Sequence, residues 1–501
     1  MKKTTKVLLI YTVPYGITGV PIGLSSIAAS LKDKGHEVKI FDTVFYNLKN
    51  EKNVDKRRSQ IKMTKEIKDE KNIFIEKEDI FSDIHILINE YNPDIIGISL
   101  LESFFYNCIK IVDYIKKNIG DIPIVVGGVF PTVSPDIVIN EKSIDMICVG
   151  EGEVSFATLC TNMANNKSIK NIDGIWFKED GKVIKNNPHK LVDLQSLPYP
   201  CFDDFDKRIF YKPMQGKMYK MVNITTDRGC PYNCSFCAAP KLRILFKENN
   251  CGMYYRRYSV EKVIEQIHFQ LSKQDYEFVY FSSETFLDMP DREFNIFIKE
   301  YSKIKLPFWF QTRFETINKE RIKKLKKIGM FWLTIGIEHG NEEFRKNILK
   351  RRYSNDLIIN KMKILSDCGI GVSVNNIMGF PFENRSLIFD TIELNKKLWN
   401  INNLIECNIY LFTPYHGCKL RDICEQEKMI DKDLVIDTTQ LRPGSVLNFS
   451  DSFKEELNGL LRTFNLYVKL PEKYYPQIRV AEQNSKEGDK MFNKLVNMLE
   501  E

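Results

Sequence analysis

Residues 221–237 read MVNITTDRGCPYNCSFC: an apolar strand, MVNITTD, runs straight into a loop carrying Cys230, Cys234 and Cys237. Three thiols at this spacing lie on one tight loop and suit three corners of an iron–sulfur cube. A structural zinc knuckle is the competing reading and needs a fourth ligand. Cys251 is the only nearby cysteine, and no histidine accompanies it.

That strand opens a series. FVYFSS (278–283), FWFQTR (308–313), WLTIGIE (332–338), GVSVNNIMG (371–379) and LIECNIYLF (404–412) follow, with amphipathic helices such as 317–329 and 355–369 between them. Six such units predict a partial barrel over 216–430 with its chemistry at the carboxyl ends of the strands. On the third strand Gln311 and Arg313 alternate, so both face one side, the lumen of a barrel. Arg313 is then a candidate for a cofactor or substrate carboxylate.

Upstream, residues 1–160 alternate strands (6–11, 38–41, 94–101, 122–128, 144–153) with helical segments, the pattern of a parallel, doubly wound sheet. Ligands bind such sheets beyond the carboxyl ends of the strands. Ser99, Gly127–Gly128 and Gly150–Glu153 mark that end. Residues 44–80 are charge-rich and read as a solvated helical arm. Residues 161–215 read as a small hairpin around Asp180–Gly181 and a proline-punctuated linker. Residues 431–501 read as a mainly helical tail. The fold class is thus α/β, a Rossmann-like domain followed by a partial (β/α)6 barrel.

The chain has 501 residues, enough for two or three domains, and is 43% hydrophobic. Its net charge of +7, from 73 basic and 66 acidic residues, compels neither a nucleic-acid nor a membrane partner. No stretch approaches the roughly 20 apolar residues of a membrane helix. Twelve cysteines without a secretory signal read as thiols of a reducing, cytoplasmic setting.

The cysteine motif, with Phe236 before its last thiol, resembles the signature of radical S-adenosylmethionine enzymes over about 216–430. The resemblance implies that Cys230, Cys234 and Cys237 hold a 4Fe–4S cluster and leave one iron open for S-adenosylmethionine. It also implies that Phe236 packs beside the adenine. Ser282-Ser283-Glu284 resembles the family's Gly-Gly-Glu region, whose backbone receives the methionine amino group. Gly336-Ile337-Glu338 resembles the segment whose polar group reaches the ribose, and the stretch from Gly379 to Glu383 the one that edges the adenine. A barrel-end salt bridge is the alternative for Glu338 and for Glu383.

Ser99-Leu100-Leu101 with Gly127-Gly128 resembles the S-x-L…G-G pair that borders the corrinoid in cobalamin-binding domains. Two departures stand out. No D-x-H-x-x-G motif precedes Ser99, where only Asp55-Lys56-Arg57 and a lone His85 occur, and Phe130 replaces a frequent histidine. This implies a cobalt whose lower face is open or holds water. A degenerate nucleotide-binding fold kept as scaffold is the alternative.

The resemblance as a whole implies a cobalamin-dependent radical methyltransferase. A non-methylating radical cyclase or ring-rearranging enzyme and a non-catalytic sensor are the alternatives. Expected partners are a small-molecule or peptide natural-product substrate and a low-potential donor such as flavodoxin or ferredoxin. A methylthio-transferring enzyme needs a further cysteine trio, whereas Cys108, Cys148 and Cys160 read as core thiols. The loop Thr413–Leu420 resembles the family's barrel-closing segment, which makes Cys418 and Tyr415 candidate catalytic residues, with a buried thiol as the other reading of Cys418.

Overall fold

The computed structural model describes residues 4–13, 15–48, 54–69, 71–401, 405–437 and 444–500. In the first sheet β1 (Lys6–Tyr11), β2 (Glu37–Asp42), β3 (Ile95–Ser99), β4 (Ile124–Gly127) and β5 (Met146–Cys148) run parallel. The strand order is β2-β1-β3-β4-β5, continued by β6 (Ile175–Glu179) and β7 (Lys182–Ile184). The order reverses at β1, so the ends of β1 and β3, where Tyr11 pairs with Ser99, form the crevice expected of a doubly wound sheet.

The hairpin expected within 161–215 is therefore a structural part of this sheet, with β6 pairing antiparallel to β5. The segment after it is no free linker. Leu194, Leu197, Phe202, Phe205 and Phe210 are buried in a core shared with the barrel.

The second sheet begins with the antiparallel pair β8 (Tyr211–Met214) and β9 (Lys217–Thr225). A short ribbon, β10 (Asp227–Arg228) with β11 (Arg256–Arg257), flanks the cysteine loop. Then come β12 (Phe278–Ser282), β13 (Phe308–Thr312), β14 (Met330–Glu338), β15 (Gly371–Met378) and β16 (Ile405–Leu411). The order β16-β15-β14-β13-β12-β9 is parallel throughout, the partial barrel of six strands expected. The helices between the strands are locally specified. Asn318 caps Lys319–Lys327 by accepting from Glu320 N and Arg321 N, and Ser354 caps Asn355–Asp367.

Side chains alternate along each strand. Val279, Phe281, Phe310, Leu333 and Ile335 pack into the main core, each such burial contributing about 1.5–3 kcal/mol. The opposite face carries a polar ladder: Gln311 donates to the Tyr280 hydroxyl, Trp309 to Thr334 and Trp332 to Ser373. Ser373 then donates to Glu406, which also accepts from Gln215 at 2.6 Å. Gln215 sits on the β8–β9 turn, so this last bond joins the two ends of the open barrel.

The charged 44–80 segment is not a solvated helical arm. Among its described residues up to Asp79 only Val54–Gln60 is helical, and Met63 and Ile73 are buried in the core. Part of the expected arm (49–53 and 70) lies outside the described residues. Arg58 donates to the Tyr410 hydroxyl of β16 at 2.6 Å, while Lys68 N donates to Gly216 O at the β8–β9 turn. The segment thus spans the gap between the barrel's edges. The tail folds as helices Asp451–Lys469, Tyr475–Ala481 and Lys486–Glu500, the first burying Leu457, Leu460 and Phe464 against the barrel.

Candidate active site

The cysteine loop leaves β10 through Gly229, whose φ of +82° and close approach to Tyr254 O (2.5 Å for an added Cβ) leave no room for a side chain. Arg243, one turn into the helix Ala239–Glu248, donates to the carbonyls of Cys230, Pro231 and Tyr232. Ser235 is fixed from the other side, its hydroxyl donating to Ile348 O at 2.6 Å and its carbonyl accepting from Leu420 N. These bonds hold the loop from both sides.

Burial pushes the Cys230 thiol up to about 12 and Cys237 to about 11, so binding a metal here would release protons. Cys251 stands apart: it is buried in a separate apolar cluster with Leu242 and Phe246, its thiol facing Pro188 O and Asn249 O. Among the described residues no three His, Cys, Asp or Glu side chains converge on a single-ion site.

Several expected residues converge on this loop. Arg313 is buried, donates to Cys234 Sγ at 3.3 Å, pairs with Glu315 at 2.7 Å and stacks on Tyr232. Glu338, at the end of β14 with φ +67°, pairs with Arg351 at 3.0 Å. Burial raises its carboxyl above the ordinary range against the nearby Arg351 and Arg313 charges. Arg351 also lies 5.4 Å over the Phe236 ring, and Phe236 lies 6.3 Å from Phe380, the neighbour of Gly379. Ser283 and the Glu284 N–H both donate to Asp227, which anchors the end of β12 to the ribbon before the cysteines. Glu284 itself is exposed. Glu383 accepts from the Gly379 and Phe380 N–H groups and from His339, so it shapes its own loop.

Arg313 Nε and Arg351 Nε are buried without an acceptor. Together with three thiols on one hydrogen-bonded loop, these donors fit an iron–sulfur cluster with an anionic ligand beside it.

In the first domain a cleft of about 280 Å³ opens at the carboxyl end of the sheet. Ser99, Gly127, Gly128, Gly150 and Gly152 line it, and its depth is walled by Leu9, Ile27, Gly97, Cys148 and Phe156. A Cβ on Gly97 would lie 2.8 Å from the Phe156 ring, and one on Gly128 (φ +112°) 2.7 Å from Leu100 O. An apolar slot kept open by missing side chains fits the buried tail of a corrinoid. Leu101 is not among the residues lining this cleft; its side chain is 46% exposed, while Leu100 before it and Glu102 after it are buried. His85 sits on the helix Ile80–Tyr91, facing the Tyr114 hydroxyl at 3.2 Å, as a helix residue rather than a ligand. Cys108, Cys148 and Cys160 are buried core thiols.

The sequence reading missed what joins the two sites. Arg228, two residues before Cys230, lines the cleft of the first domain. It pairs there with Glu153 at 2.6 Å and Glu151 at 3.3 Å. Arg256, beside it on the ribbon, also grips Glu151 and donates to Val192 O at 2.6 Å. A second tie follows the Ser99 loop: buried Glu102 accepts from His416 N and His416 Nδ1 (both 2.7 Å) and from Ile436 N (3.0 Å). The Thr413–Leu420 loop is thus a domain contact, with His416 5.5 Å from Phe130. Cys418 is enclosed with Phe380, Phe412, Leu420 and Cys424, and burial pushes its thiol up to about 12. That placement corrects the catalytic reading of Cys418, since an enclosed thiol has no substrate to reach. Tyr415 packs at the edge of the same cluster, near Glu102.

Comparison with known proteins finds a family match for each of the two halves. Residues 9–160 match the B12 binding domain and residues 224–394 the radical SAM superfamily. The chain thus carries a B12 binding domain followed by a radical SAM domain. It is 28% identical over 414 residues to an uncharacterized methyltransferase of Pyrococcus horikoshii, PH0819, covering 81% of this chain and 78% of that one. The solved structure of OxsB with aqua-cobalamin and S-adenosylmethionine is similar in fold, with TM-score 0.67, 17% identity and coverage of 99% and 71%. So is that of TsrM from Kitasatospora setae with cobalamin and a [4Fe-4S] cluster, with TM-score 0.65, 15% identity and coverage of 99% and 100%. Among the described residues no helix is long and apolar enough to cross a membrane.

Proposed function

We propose that the protein is a cobalamin-dependent radical methyltransferase acting on an unactivated carbon of a small-molecule or peptide substrate. The observation that carries this is the position of Arg228, at once in the wall of the first domain's cleft and two residues from the first cluster cysteine. That position supports two cofactor sites lying close together, as delivery to one substrate carbon needs.

Cys230, Cys234 and Cys237 would hold the 4Fe–4S cluster, and Arg313 and Arg351 supply buried donors for the carboxylate and ribose side of S-adenosylmethionine. Phe236 and the Gly379–Phe380 backbone border the adenine. Ser99, Gly127 and Gly128 border the corrinoid. When bound, these groups supply the electron that splits S-adenosylmethionine into methionine and a 5′-deoxyadenosyl radical, and the methyl group that a substrate radical takes up. The chain's task is orientation and exclusion of water. The joints at Arg228–Glu151–Glu153 and Glu102–His416 fix the domains, and the 54–68 segment spans the barrel's open side.

The test is product analysis under strict anaerobiosis with cobalamin, S-adenosylmethionine, a low-potential reductant and extract of the native host. Cobalamin-dependent formation of both 5′-deoxyadenosine and S-adenosylhomocysteine is expected. Formation of 5′-deoxyadenosine without S-adenosylhomocysteine would replace methyl transfer by cyclisation or rearrangement.

A further inference from the structure

The barrel strands are packed tightly on one face only. Phe310, Ile335 and Val374, on the helix side, are at most 1% exposed. The residues alternating with them, Trp309, Gln311, Gly336, Asn375 and Ile377, stay half-buried, although β13, β14 and β15 all lie inside the sheet. A strand with a neighbour on each side and helices over one face keeps exposure only where its other face borders open space. The lumen is therefore hollow. Met214, Met221, Phe278 and Trp332 close it at the amino ends of the strands. At the other end stand Arg313, which reaches Cys234, and the Glu338 carboxylate, which folds back into the place a Gly336 side chain would take.

Between that floor and the cysteines runs a band of neutral polar groups on one face, tied together by hydrogen bonds. Gln311 donates to the Tyr280 hydroxyl, Trp309 to Thr334, and Asn408 Nδ2 to Asn375 Oδ1 at 3.0 Å. Among the described residues this leaves Gln311 Oε1 without a donor, Asn375 Nδ2 without an acceptor, and Asn408 Oδ1 buried and unpaired. Groups in that state are met by a ligand or by ordered water. The charged groups bordering the band are engaged. Glu406 accepts from Ser373 and Gln215, Arg58 donates to Tyr410, and Lys212 lies 4.5 Å over the Tyr280 ring. Arg313 follows Gln311 by two residues, about 7 Å nearer the cysteines.

We propose that this band anchors the substrate and that the substrate carries an uncharged carboxamide, as at the amide end of a peptide or an amino-acid amide. Two acceptors, Gln311 Oε1 and Asn408 Oδ1, and one donor, Asn375 Nδ2, are the inverse of a carboxamide's two N–H groups and one carbonyl. A carboxylate or phosphate can accept from Asn375 but has nothing to give the other two. A hydrocarbon leaves all three unpaired. A site built to hydrogen-bond its substrate rejects an analogue lacking those groups far more strongly than an apolar pocket rejects a missing methyl. The proposed radical chemistry is needed here only for the place of the reacting carbon. With the anchor about 7 Å below Arg313, that carbon lies a few bonds from the amide.

The experiment titrates three probes into the cluster- and cobalamin-loaded protein with S-adenosylmethionine and no reductant, so that nothing turns over. The probes are N-acetyl-alaninamide, its methyl ester counterpart and N-acetyl-alanine, read by ligand-observed NMR. The amide is expected to bind about 10-fold or more tightly than the ester, which lacks the N–H donors, and than the carboxylate. Gln311→Met and Asn375→Leu should each weaken amide binding about 5-fold or more, the loss of one such bond, and should bring the three probes closer together. A wild type that binds the three alike, prefers the carboxylate or binds none of them would overturn the assignment, whatever the variants do. Variants that keep their iron and bind the amide as wild type does would place it elsewhere and overturn the anchor. In a separate reaction with reductant and host extract, 5′-deoxyadenosine without S-adenosylhomocysteine would refute methyl transfer instead, and the order of probe binding would still report on the lumen.

Discussion

Replacing Arg228 by methionine removes the guanidinium that Glu153 meets at 2.6 Å and Glu151 at 3.3 Å, while keeping a side chain of similar reach. Glu153 is left with 4% of its side chain exposed and without its cation. Breaking a buried pair from one side costs about 3–5 kcal/mol, because the remaining charge is neither paired nor hydrated. Glu151 suffers less, since Arg256 still holds it. With a urea slope of about 2–3 kcal/mol per molar, the unfolding midpoint should drop by about 1–2.5 M. Urea titration by tryptophan fluorescence reads this directly. Adding Glu153→Gln should restore much of the loss, since a neutral amide tolerates burial better than an orphaned carboxylate. The pH dependence has a defined sign. Burial works to raise the Glu151 carboxyl, but its bonds to Arg256 and the Arg228 charge outweigh that and hold it below the ordinary value. Its contribution is therefore present above the usual carboxylate range and lost as pH falls through the lowered value. A midpoint within 0.3 M of wild type (about 1 kcal/mol on that slope), or a double variant weaker than Arg228→Met alone, would refute this account of the joint.

Gly128→Ala places a Cβ 2.7 Å from Leu100 O at a φ of +112°, strain worth about 1–3 kcal/mol, so corrinoid affinity should fall about 5- to 150-fold by absorbance titration. Cys234→Ala should purify without a stable 4Fe–4S cluster, as counted by iron and sulfide per chain. Arg351→Met should cost about 3–5 kcal/mol by stranding Glu338, whereas Glu338→Gln, which leaves Arg351 its bonds to Gly336 O and Tyr353, should cost far less. Cys418→Ser buries a hydroxyl among Phe380, Phe412 and Cys424 and should lower stability by about 1–3 kcal/mol, with the rate of 5′-deoxyadenosine formation unchanged in an anaerobic assay.

The strands were legible because most are short apolar runs ended by glycine or a turn, and in the second sheet their order along the chain is also their order in space. The cysteine loop was legible because its chemistry is local to eight residues. The charged 44–80 segment was misread because lysines and glutamates dominate it, while Met63, Ile73 and Phe74, which pack on the core, are too few to show a period. The roles of Arg351, Arg243 and Asp227 have no local signature at all. Each depends on a partner at least ten residues away, brought close only by the fold. The bridge from Arg228 to Glu151 and Glu153 joined two stretches already noticed, yet their charge pairing is a property of the folded pair.

The core shared by the two sheets runs without a break from Val7 through Phe210 and Val222 to Leu495. The cobalamin-binding and radical halves are therefore not interchangeable cassettes. A gene fragment ending near residue 200 would display the apolar side of that core to water and leave Glu151 and Glu153 without their arginines. Shuffling this first domain onto another barrel would have to carry across complementary surface and charge, and so the two halves are bound to be inherited, and to vary, as one unit.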